Sequence, residues 1–219
     1  MSGWQDFTFS SIAYRVSDIS DIAEILPFFF WLRSKDRREP FLILAMYFLS
    51  SGTLSLYGLL TAKAFIYNMH LYHIWAVIQA ICIYMFYRSL WGKTFNFWFV
   101  LSVFVVYLSS SLWFQKIDSM NSLCWTVNTI LIIYLGTTHF YKLYHDDSIT
   151  GALAKRPDFI ITAGWLVYAA GSLFTYLMGR DILVEKAEGF FRNAWMFQSV
   201  SNIIKTGASC YAFWLLRGK

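Results

Sequence analysis

The sequence predicts an all-α polytopic membrane protein: a single seven-helix bundle over residues 1–219, N-terminus outside and C-terminus cytoplasmic. Three observations predict it. The chain is 58% hydrophobic and only 14% charged, against about 25% charged in a typical soluble domain. Its apolar residues fall into seven stretches near the ~20 residues that a spanning helix needs. The loops between them are short, hold most of the charge, and alternate in how much positive charge they carry.

The first stretch, about 12–33, has no basic segment ahead of an apolar run, so no cleavable signal is expected and the helix inserts itself. It carries Asp18, Asp21 and Glu24 at i, i+3 and i+6. The second, about 41–63, starts behind Pro40, where a missing N–H costs nothing. The third, about 70–91, opens with His70, His73, Trp75 and Gln79. The fourth, about 94–114, brings Trp98 and Trp113 near its interfaces. The fifth, about 120–142, places Asn121, Trp125 and Asn128 on one face by i, i+4, i+7 spacing. The sixth, about 158–179, starts behind Pro157 and holds Trp165. The seventh, about 190–215, holds Asn193, Trp195, Gln198, Asn202 and Lys205.

Orientation follows from the loops. Arg33, Lys35, Arg37, Arg38, Arg88, Lys93, Lys142, Lys155, Arg156, Arg217 and Lys219 gather on one side. Arg15, Lys63, Lys116, Arg180, Lys186 and Arg192 gather on the other, and Asp181, Glu185 and Glu188 offset that group. The richer side is cytoplasmic by the positive-inside rule. The net charge of +5 is thus a topology signal, and no nucleic-acid partner is expected. The implied partner is the lipid bilayer.

Lys205 is the strongest functional signal. At 100° per residue, Trp195, Gln198, Ser199, Asn202, Lys205, Thr206 and Ser209 share an arc of about 120°. A cation at the bilayer centre costs at least ~2.5–3.5 kcal/mol, so such residues face a bundle interior. With this orientation the intramembrane polar residues collect in the outer half. The expected ligand-binding set is Asp21, Glu24, His73, Trp75, Gln79, Trp125, Asn128, Trp195, Gln198, Asn202 and Lys205. Lys205, Gln198 and Asn202 are expected to share a cavity with His73, Gln79 and Asn128. Structural pairing of Lys205 with Asp21 or Glu24 is the competing reading. His73 reads as a hydrogen-bonded core histidine rather than a metal ligand.

Other chemistry finds little footing. Cys82, Cys124 and Cys210 lie in apolar segments without CxxC spacing, so neither zinc nor a disulfide is suggested. The run His145-Asp146-Asp147 reads as a solvated loop. There is no HExxH, GxSxG or phosphate-binding glycine loop, so the chain leans away from an enzyme and no metal is expected.

Leu71-Tyr72-His73-Ile74-Trp75, Gly171-Ser172-Leu173-Phe174, Asn202-Ile203-Ile204-Lys205 and Phe213-Trp214-Leu215-Leu216-Arg217 carry a resemblance. With Trp195 and Ser199, they resemble small, largely uncharacterised bacterial seven-helix membrane proteins and the membrane sensor regions of signalling kinases. That pattern commonly has an acid where Gln79 stands and a His where Gln198 stands. The resemblance implies the fold, a bacterial inner-membrane location and a sensing role, but no substrate.

The leading expectation is a receptor-like sensor with a polar, aromatic-lined pocket for a small molecule, acting on a cytoplasmic or membrane signalling partner. The alternatives are a small-solute transporter or channel, a membrane-complex subunit with a structural polar core, and a retinylidene protein using Lys205. Retinal is disfavoured. Position 201, four residues before Lys205, is Ser, and His70 to Trp91 contains no acid to serve as counterion.

Overall fold

The computed structural model describes residues 3–66, 68–94, 96–110, 112, 121–146, 152–177 and 188–218, with side chains described from Ile12 and, in the last helix, from Trp195. Trp113, Lys116, Asp147, the charged loop 180–187 and Lys219 lie outside the described residues, as do the side chains of Glu188, Arg192 and Asn193. All regular structure among the described residues is helical. The helices are α1 (Gly3–Ala23), α2 (Leu26–Leu32), α3 (Glu39–Lys63), α4 (His70–Leu90), α5 (Phe97–Ser109), α6 (Ser122–Tyr144), α7 (Pro157–Leu177) and α8 (Glu188–Leu215).

The single helix expected over 12–33 is two helices. Pro27 explains the break. Its ring collides with the carbonyl four residues back, which is Ala23, and it offers no N–H. Accordingly α1 stops at Ala23, and Glu24 and Ile25 form the turn before α2. That turn sits in a notch on α3. A Cβ built on Gly52 would lie 2.6 Å from Ile25 Cβ and 2.8 Å from the Ile25 backbone. Only glycine allows this approach.

The other boundaries have local causes. Glu39 and Pro40 occupy the first turn of α3, and Pro157 opens α7. The Asn96 side chain accepts from the N–H groups of Trp98 and Phe99 and caps α5. Asn121 caps α6 by accepting from Cys124 N–H. Gly92, at φ 63°, lets the chain leave α4 in the left-handed conformation favoured after a helix end.

Among the described residues, four helices, α3, α4, α6 and α7, are long and apolar enough to cross a membrane. The 13-residue α5 is apolar but short. α8 has 28 residues but dilutes its apolar content with the polar stripe around Lys205. Lipid supplies no hydrophobic drive between helices, so close packing relies on small residues. The α7–α8 seam shows this. A Cβ on Gly164 would stand 2.6 Å from Ala208 Cβ, and Gly171 opposes Ser201 in the same way. Gly136 of α6 likewise meets Leu166 of α7. The main apolar core joins α3, α4, α6, α7 and α8, where Phe41, Tyr47, Phe48, Phe86, Ile132, Trp165 and Phe213 are buried.

Candidate ligand site

Lys205 is fully buried and its Nζ lies 2.7 Å from Glu24 Oε1. The break before Pro27 places Glu24 here, with 2% of its surface exposed. The second carboxylate oxygen, Oε2, accepts hydrogen bonds from Ser51 Oγ and, at 3.4 Å, from Ser55 Oγ of α3. The ammonium also stands over rings. Its Nζ is 4.5 Å from the Tyr168 centroid and 4.9 Å from Trp165. Tyr47 and Phe48 lie 5.8 and 5.9 Å away, all within cation–π range. The pair thus ties α8 to the α1–α2 turn and to α3. A second tie runs from Asn202 Nδ2 to Ser20 Oγ at 2.9 Å.

Beside this pair lies a cavity of about 330 Å³, walled by α1, α3, α4, α6, α7 and α8. Of the expected residues, Asp21, Glu24, Trp75, Trp125, Trp195, Gln198 and Asn202 line it. One wall is aromatic: Trp75 meets Trp125 edge-on at 5.3 Å, and Trp125 stacks on Tyr176 at 5.4 Å. Gln198 Nε2 donates to Tyr176 OH at 2.8 Å, and Tyr176 OH is 3.1 Å from Tyr168 OH. A hydrogen-bond chain therefore runs from the cavity wall to the ring over Lys205. Three polar atoms on lining residues have no hydrogen-bond partner among the described residues: Trp75 Nε1, Trp125 Nε1 and Asn202 Oδ1.

His73, Gln79 and Asn128, expected to share a cavity with Lys205, Gln198 and Asn202, do not line this one. Lys205 is not among its lining residues either, and Gln79 instead joins the Glu24 cluster through Tyr47, which is hydrogen-bonded to both Gln79 and Ser51. Asn128 Nδ2 donates to Gln79 Oε1 at 3.0 Å and to Ala76 O at 2.8 Å, while its Oδ1 accepts from Tyr107 OH. Gln79 Nε2 donates to Tyr47 OH at 3.1 Å. His73 Nδ1 is 2.9 Å from Asn121 Nδ2. These residues are buried, as their spacing suggested, but against other partners. No group of three His, Cys, Asp or Glu side chains with metal-holding geometry occurs among the described residues.

A second polar cluster was missed from sequence. His139 of α6 is 4% exposed. Its Nδ1 accepts from Trp91 Nε1 at 3.3 Å, which puts the ring proton of the neutral form on Nε2. That nitrogen faces Asp158 Oδ2 at 3.4 Å, an ion-pair distance rather than a well-formed hydrogen bond. Arg156 holds the same carboxylate at 2.8 and 3.2 Å, and this hydrogen bonding raises the Arg156 guanidinium above its ordinary pKa. The signal was present: Asn121, Trp125, Asn128, Ile132, Leu135 and His139 continue one helical stripe. Trp91 and His139 end α4 and α6, so this cluster lies at the opposite end of the bundle from the cavity.

Fold and site together define a class: a helical bundle, four of whose helices can cross a membrane, with a buried ion pair beside an aromatic cavity. No family model, curated protein or solved structure matches the chain.

Proposed function

We propose that this chain is a receptor-like sensor of seven membrane-spanning segments that binds a small molecule in the cavity beside Glu24. In this reading α1–α2 together and α5 and α8 complete the seven, and the N-terminus is outside. The loop charges support that orientation, because the basic residues Arg33 to Arg38 and Lys155 to Arg156 would face the cytoplasm. The cavity then lies in the outer half and the His139 cluster near the cytoplasm. The bacterial inner-membrane setting and a cytoplasmic signalling partner belong to the same reading and rest on the loose resemblance.

The observation that carries it is the cavity itself. Its volume of about 330 Å³ falls at the small end of the range for ligand sites, and it combines aromatic walls with a few convergent polar groups. A ligand there touches Ser20 and Asp21 of α1 and Glu24 in the turn that joins α1 to α2. A retinylidene reading draws no support from this geometry. Lys205 Nζ is engaged by Glu24 and is not on the cavity wall.

The test is thermal protection of the purified protein by a small-molecule library, repeated on Gly58→Phe. Gly58 lines the cavity, and a Cβ there meets only Asn68 Nδ2 at 3.9 Å. Ligands that raise the melting temperature of the wild type but not of Gly58→Phe support the reading. No protection across the library, or solute flux through the protein in proteoliposomes, overturns it in favour of a structural subunit or a transporter.

A further inference from the structure

We infer that the ligand of this cavity is an organic cation, an ammonium group carried on a small apolar or aromatic body. The inference rests on the reading that the cavity holds a small molecule and names its class. The charges around the cavity decide the sign. Among the described residues no Lys, Arg or His lines it, and the charged ones that do are Asp21 and Glu24. Glu24 is neutralised by Lys205 at 2.7 Å. Asp18, the neighbouring acid, is half-buried and faces Lys63 at 3.9 Å. Asp21 has no hydrogen bond or ion pair among the described residues, so one carboxylate remains to be matched.

The walls suit the same class. Tyr72, Trp75, Trp125, Tyr168, Tyr176 and Trp195 all border the cavity. Ring faces attract cations most strongly where water is excluded, and quaternary ammonium groups are held in such cages. Independently, Asn202 is 6% exposed and lines the cavity, and its Oδ1 has no donor among the described residues. An ammonium N–H supplies one. An anionic ligand would meet Asp21 with no cation among the described wall residues to offset it.

The same ammonium chemistry can come from a soluble amine or from a choline or ethanolamine lipid headgroup. The experiment therefore starts in maltoside detergent, which carries no ammonium, at pH 8. Four probes of similar size are titrated by calorimetry: benzyltrimethylammonium, benzylamine, benzyl alcohol and benzoate. A fifth arm adds a short-chain phosphatidylcholine, with phosphatidylglycerol as its control.

The expected result is that the two cations bind at least about tenfold more tightly than the alcohol or benzoate. Asp21→Asn weakens cation binding about tenfold, and Asp18→Asn changes it less than about twofold. Trp195→Leu, which leaves the acids in place, weakens it several-fold and serves if Asp21→Asn does not fold. Phosphatidylcholine binding tighter than any free cation identifies the headgroup as the source, and weaker binding identifies a soluble amine. Equal or tighter binding of benzoate or benzyl alcohol overturns the cation assignment while leaving a ligand cavity. Cation binding that ignores both Asp21→Asn and Trp195→Leu also overturns it. If none of the four probes binds, the cation assignment falls. The library screen on the wild type and Gly58→Phe then shows whether the ligand reading falls with it.

Discussion

Replacing Lys205 by Met separates a structural ion pair from a ligand-contacting lysine. Lys205 is fully buried and Glu24 is 2% exposed. In Lys205→Met the carboxylate keeps only the Ser51 and Ser55 hydroxyls. Breaking a buried pair by removing one partner costs about 3–5 kcal/mol, because it leaves an uncompensated charge. Replacing both partners by neutral groups costs far less, and is often close to neutral. The double variant Lys205→Met/Glu24→Gln should therefore be more stable than Lys205→Met alone. At about 2–4 °C per kcal/mol for a chain of this size, the single variant should melt roughly 6–20 °C below the wild type, with the double variant recovering most of that loss.

The assay is thermal unfolding in detergent, read by tryptophan fluorescence and run as a double-mutant cycle. A Lys205→Met loss under about 4 °C, or single-variant losses that simply add in the double, would refute the reasoning. Either result would mean that Glu24 is not a desolvated anion held by Lys205. It would also return Lys205 to the ligand-contacting role that its polar stripe first suggested.

Gly52→Ala should destabilise by about 1–3 kcal/mol, at the upper end of that range, because the new methyl meets backbone atoms of Ile25 rather than a side chain that can move; no shift in the melting curve would count against the α1–α2 turn resting there. For topology, Lys35→Cys should be shielded from an impermeant thiol reagent in intact cells, whereas a cysteine at the 98% exposed Phe65 should react; the reverse pattern would invert the bundle. Ser34, though in the same loop as Lys35, is 4% exposed and a poor labelling site. All-trans retinal added to the purified protein should give no red-shifted band, since the Lys205 amine is already engaged by Glu24; a band lost in Lys205→Ala would restore the photoreceptor reading.

Much of this site could be read from spacing alone. The arc from Trp195 to Ser209 marked the inward face of α8, and Ser199, Asn202, Lys205, Thr206 and Ser209 are all buried. The choice between Asp21 and Glu24 as partner of Lys205 stayed open because two residues three positions apart on a straight helix differ by only about 60° in direction. The break at Pro27 resolves it. It frees Glu24 from the helix and leaves Asp21 on α1, facing the cavity. The separation of His73, Gln79 and Asn128 from the cavity was not legible. Periodicity reports that a residue points inward, but not which neighbouring helix it meets. His139 carries no motif of its own. Read with Asn128, Ile132 and Leu135, it falls on the buried stripe of α6.

The joint at Glu24 is a single unit made from three distant parts of the sequence. Pro27 ends α1 at Ala23 and so creates the turn. Gly52 provides the notch that lets the turn approach α3, and that approach brings Ser51 and Ser55 to one carboxylate oxygen. Lys205 supplies the counter-charge to the other oxygen at 2.7 Å. Its own helix is held close by the Gly164–Ala208 contact. Each part has value only with the others in place. Without the notch the carboxylate stands off its hydroxyls, and without the lysine the burial forced by the notch becomes a penalty. Residues sharing one hydrogen-bonded network couple rather than add. An isolated lysine in an apolar helix would be an anomaly. Seen with Pro27 and Gly52, it is the fixed point about which α1, α2, α3 and α8 meet, paired to a carboxylate that itself borders the cavity.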